Sequence, residues 1–241
     1  MGGDINVLIL ASAIPAFLSF LIALPFIKSP KSYNREIKIP YRKLTLMTVS
    51  LLLLSAPYTL DLILTPEPLK AQYGALSLIG KIVYFSSITV AFVMFARLAN
   101  QKSEKEEFKT LGTTVFLTFL IGLIASLFLF LFKDLIINLA FAGKYSEVSI
   151  YFAIFGLAMS AYAIVFMFAN FFFSRDSYRY IGVLLFITVL QVTLFKFYTT
   201  DLFSIVRNQV IIYCLLLLLT VLYFIFNFVI RGYERKNKKV G

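Results

Sequence analysis

The sequence contains no histidine, and that absence weakens proton-shuttle, zinc and histidine-dependent nucleophile chemistry together. It has one cysteine, Cys214, in the middle of an apolar run, which excludes a disulfide framework and any cysteine cluster with metal-ligand spacing. Charge is also scarce. Asp, Glu, Lys and Arg make up 15% of the residues against roughly 25% in soluble domains, while 60% are hydrophobic and mean hydropathy is +0.88. These values define an integral membrane protein. The acids Asp61, Glu67, Asp134, Glu147 and Asp201 stand singly, with no paired carboxylates at ligand spacing, so no enzymatic reaction, metal or cofactor is expected. No internal repeat is visible.

What is present is a series of long apolar runs. Residues 5–27, 44–64, 73–100, 110–132, 148–174, 180–195 and 208–230 are each close to the roughly 20 residues that a bilayer-spanning helix needs. In lipid the backbone must satisfy its own hydrogen bonds, so the many β-branched and aromatic residues do not argue for strands. The expected fold is therefore all-α, a polytopic bundle of about seven transmembrane helices. Between the fourth and fifth runs, LIINLAFAG (135–143) is too short to span and reads as an interfacial piece or a turn closing at Gly143. The run SEKEEF (103–108) reads as the start of a helix, with acids at its positive end.

The net charge of +11 is distributed along membrane edges rather than gathered as a nucleic-acid patch, and no nucleic-acid partner is expected. Seventeen loop cations, from Lys28 through Lys109, Arg175 and Arg179 to the tail 231–241, fall on one side of the spans. Five, Lys70, Lys133, Lys144, Lys196 and Arg207, fall on the other. Because lysine and arginine accumulate on the cytoplasmic side, this predicts a multi-pass cell-membrane protein with its N-terminus outside and its C-terminus inside.

One cation remains. Lys81 stands inside the third run, YGALSLIGKIVYFSSITVAFVMFARLAN, which ends near Arg97. A lysine within a membrane helix costs roughly 2.5 to 3.5 kcal/mol on insertion scales and characteristically faces a bundle interior or a water-filled cavity. The competing reading places Lys81 about two turns below the surface, with its ammonium snorkelling to the headgroups. Asp61, near the end of the second run, reads as a helix-end or pore-lining group. A retinal protein is excluded, because that class needs a lysine deep in its last helix and residues 208–230 contain none.

The order of features is informative. It runs from a helix ending in an acid (YTLDLIL) through YGALSLIGKI, VMFARLA, the charged loop NQKSEKEEF and the turn FAGKY to a long helix ending in NFFFSRDSYRY. This order resembles the C-terminal half of polysaccharide or oligosaccharide flippases of the multidrug/oligosaccharidyl-lipid/polysaccharide exporter superfamily, over roughly residues 44–231. The chain departs from the family pattern at Ala96, where proline is usual, in FAGKY, which carries an extra residue, and in FYTTDLF, which lacks the usual glycines.

The resemblance implies transport of a lipid-linked sugar by alternating access between two bundles, with cavity cations holding the lipid diphosphate. It implies substrate-binding roles for Lys81, Asp61 and Arg97, and it divides the chain into three parts. Residues 1–43 form a first span and basic linker, 44–231 a six-helix bundle, and 232–241 a basic tail. Since one copy holds only one bundle, transport requires a homodimer or a second helical bundle. Small residues such as Gly112, Gly122, and Gly156 with Ser160 offer close helix contact for such pairing. The alternative is a non-transporting scaffold subunit of a polysaccharide assembly system, in which Lys81 pairs with an acid on a partner helix.

Overall fold

The computed structural model describes residues 41–98 and 103–230. The run 5–27, the linker to residue 40 and the tail 232–241 lie outside the described residues. Seven α-helices and no strand occur among those described: α1 (Tyr41–Leu64), α2 (Glu67–Leu98), α3 (Glu104–Leu131), α4 (Lys133–Phe141), α5 (Phe152–Ser174), α6 (Ile181–Phe197) and α7 (Leu202–Phe224). A 3₁₀ turn, Ser146–Tyr151, leads into α5, a shorter one, Tyr178–Tyr180, leads into α6, and a π-helical segment, Ile225–Ile230, follows α7. All the α-helices except α4 lie in segments long and apolar enough to cross a membrane. The chain is a multi-pass membrane protein, and six of the seven expected spans fall within the described residues.

The starts of α2 and α7 each lie six residues outward from those read in the sequence. α2 begins at Glu67, six residues before Tyr73, because Pro68 occupies the first turn, where a missing N–H costs nothing, and Glu67 pairs with Lys70 at 2.7 Å. α7 begins at Leu202 rather than at Asn208. Asp201 caps it, accepting a hydrogen bond from Ser204 N while Ser204 Oγ accepts from Asp201 N. The SEKEEF segment behaves as expected: Ser103 caps α3 by accepting from Glu106 N, and the acids occupy the first turn. The short piece forms α4, which stops at Ala142 and Gly143, both with positive φ.

α5 is the central helix. It packs against α2 and α3 on one side and α7 on the other, while α6 lies between α7 and α1. α1 rests chiefly on α6 and meets α2 much less. Glycines set the closest approach. A methyl group on Gly122 of α3 would lie 2.3 Å from Ser160 Cβ on α5, and one on Gly156 of α5 would lie 2.8 Å from Ser126 Oγ on α3. Gly122 and Gly156, expected to serve pairing with a second bundle, are therefore occupied inside this one. Gly112 has open space around it.

The ends of the bundle are fastened by polar contacts. At one end Lys43 pairs with Asp176 at 2.7 Å, and Arg175 pairs with Glu107 while lying over the rings of Phe108 and Phe171. At the other, Gln72 Nε2 donates to Glu147 Oε2 at 3.4 Å. The outward surface is rich in exposed Leu, Ile and Phe, as a lipid-facing surface must be.

Candidate functional site

The polar centre of the bundle is built where α1 crosses α2, α5, α6 and α7. Pro57 lies inside α1 and has no N–H, so the carbonyl one turn back loses its helical partner and the helix is predisposed to bend. Side chains of neighbouring helices donate to the carbonyls on either side of this break. The Tyr162 hydroxyl of α5 donates to Leu54 C=O. Pro57 C=O accepts from Gln191 Nε2 of α6 at 2.9 Å, from Gln209 Nε2 of α7 at 2.7 Å and from the Tyr213 hydroxyl at 3.4 Å. Gln191 also donates to Gln209 Oε1 at 3.0 Å. One proline carbonyl thus joins three helices in a region where an unpaired polar group is costly.

One turn further along α1 lies Asp61, which is 0% exposed. Its carboxylate accepts from Leu62 N at 2.7 Å, from the Tyr73 hydroxyl at 2.9 Å and, more weakly, from Ser77 Oγ at 3.5 Å. Tyr73, Ser77 and Lys81 are spaced by four residues, which places them on one face of α2, turned toward α1. The Lys81 ammonium stands 4.7 Å from the centre of the Tyr58 ring. No carboxylate among the described residues lies within ion-pairing distance of it. Tyr58 stacks against Tyr162 and tilts against Tyr84, and Tyr162 stacks on Tyr213, so an aromatic wall runs from the lysine into the core.

This geometry revises the sequence expectations. Asp61 is a helix-end group, but it is fully enclosed and lines no open pore. Lys81 is half-buried and lies fourteen residues, about 21 Å, from the start of α2. Lys81 and Asp61 lie on the same α1–α2 seam without forming an ion pair. Arg97 does not join them: α2 is unbroken to Leu98, so Arg97 lies about 24 Å further along the same helix. Its side chain is outside the described part.

The sequence reading missed Tyr58, Tyr73, Ser77, Tyr84, Tyr162, Gln191, Gln209 and Tyr213. A signal existed for the two glutamines, since an amide inside an apolar span needs an internal partner, and for Tyr73 and Ser77 in their spacing from Lys81.

A second polar feature lies on the α2–α3–α5 seam. The hydroxyls of Ser87, Ser126 and Ser160 are buried and have no hydrogen-bond partner among the described residues. Most other serines and threonines of the spans return their hydroxyls to a backbone carbonyl one turn back, as Thr114 and Thr118 do.

Fold and site together define the class: an all-helical, multi-pass membrane protein with a fully buried carboxylate and a half-buried ammonium at the meeting of two helices. Comparison with family models, with curated proteins and with solved structures yields no match. Among the described residues no three Cys, Asp or Glu side chains gather as a metal cluster.

Proposed function

We propose that this chain is one bundle of a membrane transporter for lipid-linked sugars, a half-size relative of polysaccharide flippases that works when paired with a second copy or another helical bundle. The supporting observation is Lys81: a half-buried ammonium, midway along α2, resting on Tyr58 with no carboxylate in ion-pairing distance among the described residues. An ammonium so placed is free to meet a diphosphate, and the attraction is far stronger in a low-dielectric setting than in water. Asp61 then tempers the local charge and orients Tyr73 and Ser77. Arg97 serves a separate position near the other end of α2. The proposed orientation puts the Lys43–Asp176 end in the cytoplasm, so that a cysteine introduced at Lys144 is labelled from outside.

The same unpaired ammonium favours a second reading, a scaffold subunit in which a partner helix supplies the missing carboxylate. One experiment separates the two. Lys81→Ala and Lys81→Arg are expressed, and their abundance and binding of a polyprenyl-diphosphate sugar are measured side by side. Transport requires that Lys81→Ala lose binding at unchanged abundance and that Lys81→Arg keep part of it. The scaffold reading requires loss of the assembly, because an unpaired buried carboxylate costs roughly 3 to 5 kcal/mol. Unchanged binding together with unchanged abundance removes both.

A further inference from the structure

On the side of α2 opposite Lys81, a groove of about 500 Å³ opens between α2 and α3 and is bounded at one end by α4. At 3.6 residues per turn, Val83 and Ser86 project from α2 roughly half a turn away from Lys81, so this groove is separate from the polar centre. Its walls are Ile82 and Val83 of α2 with Ala125 and Phe128 of α3, and Ile136 of α4 closes the end. The one hydroxyl in the lining, Ser86, is already spent on Ile82 C=O at 2.8 Å. The groove therefore offers no free hydrogen-bonding side chain, and its size falls within the roughly 300 to 1,000 Å³ of small-molecule sites.

The helix that closes the groove carries a cation. Lys133, the first residue of α4, lies three residues before Ile136 and so on the same face of that short helix. Lys133 is half-buried and has no hydrogen-bond or ion partner among the described residues. An apolar groove in the membrane-spanning part, closed by a helix face that carries an ammonium with no partner among the described residues, complements one chemistry: a hydrocarbon chain joined to an anionic headgroup.

We propose that the α2–α3–α4 groove is a binding site for one anionic phospholipid of the surrounding bilayer. An acyl chain lies along Val83, Ala125 and Phe128, and the phosphate meets Lys133. Asp134, exposed at the next position, faces around the helix and does not pair with the lysine. The site does not depend on the proposed role of Lys81, and either reading can fail alone.

The test uses the full chain, delipidated in detergent and titrated with phosphatidylglycerol or with phosphatidylcholine of the same acyl chains, with bound lipid counted by native mass spectrometry. Wild type is expected to hold one phosphatidylglycerol in preference to phosphatidylcholine. Lys133→Ala should reduce that preference about fivefold, the equivalent of the ~1 kcal/mol that one lysine contributes near anionic lipid. Lys196→Ala, an exposed lysine on α6 away from the groove, should leave it unchanged. Ala125→Leu fills the groove from α3 and should weaken both lipids alike, and Ser86→Leu does the same from α2 should the first variant fold poorly. Equal binding of the two lipids by wild type, a preference that survives Lys133→Ala, or groove-filling variants that bind as wild type would each overturn the proposal. Loss of a dimer in Ala125→Leu, with lipid binding untouched, would assign the groove to a second copy of the chain instead.

Discussion

Replacing Tyr73 by phenylalanine removes one oxygen from the centre of the bundle and leaves the ring where it is. Tyr73 is wholly buried, its ring meets Phe155 edge-on at 5.9 Å, and its hydroxyl donates to Asp61 at 2.9 Å. The packing survives the change, so the cost is that of the hydrogen bond. Asp61 keeps Leu62 N at 2.7 Å but is left with only the longer Ser77 contact from α2. A hydrogen bond to an ionised acceptor is worth roughly 1.5 to 3 kcal/mol. Interhelical polar contacts between neutral groups in membranes average only about 0.6 kcal/mol.

The loss should be measurable, and its size reports the charge on Asp61: a value in the upper range marks an ionised carboxylate, one near the lower figure a neutral carboxyl. Reversible unfolding in bicelles, with Tyr73→Phe and Asp61→Asn measured singly and together, isolates the pairwise term. A Tyr73→Phe protein as stable as wild type, or a double variant showing simple additivity, would refute the assignment of Asp61 as the group that fixes α2 against α1.

Two further outcomes follow from the packing and the caps. Gly122→Ala brings a methyl group to 2.3 Å from Ser160 Cβ, so α3 and α5 must move apart at a cost of roughly 1 to 3 kcal/mol. The thermal midpoint should fall, Ser160→Gly should restore it, and Gly112→Ala, with nothing within 4 Å, should leave it unchanged. At the start of α7 the Ser204 backbone N–H holds the Asp201 carboxyl below the usual carboxylate range. A group lowered in the folded state stabilises above its unfolded value, near 3.9, and that contribution disappears as falling pH passes the folded value. Asp201→Asn retains a cap but not this dependence, so the difference in thermal midpoint between the two proteins should close as pH drops from about 6 to about 2. A constant difference would show that the carboxylate charge plays no part.

By itself the sequence determined the class and the spans. Bilayer thickness and the need to satisfy every backbone group in lipid turn apolar runs of a certain length into membrane helices, whatever surrounds them. Local chemistry determined the cap at Ser103 and the short α4. The start of α2 was not legible in hydropathy, because Glu67, Pro68 and Lys70 look like loop residues until a first turn uses each of them.

The site divides the same way. A lone lysine among apolar residues marked Lys81, and a lone carboxylate marked Asp61, since charges in a span are expensive enough to stand out singly. That Asp61 is met by Tyr73 and Ser77, that Gln191 and Gln209 converge on the carbonyl of Pro57, and that Arg97 stands apart were decided only by tertiary structure. Such partnerships join residues up to 156 positions apart, as Tyr213 and Pro57 are, and depend on which helix faces lie against one another. Helix faces in lipid are chosen by packing and hydrogen bonding between helices rather than by exclusion from water, so apolarity all round a span leaves its neighbours undetermined until the helices are assembled.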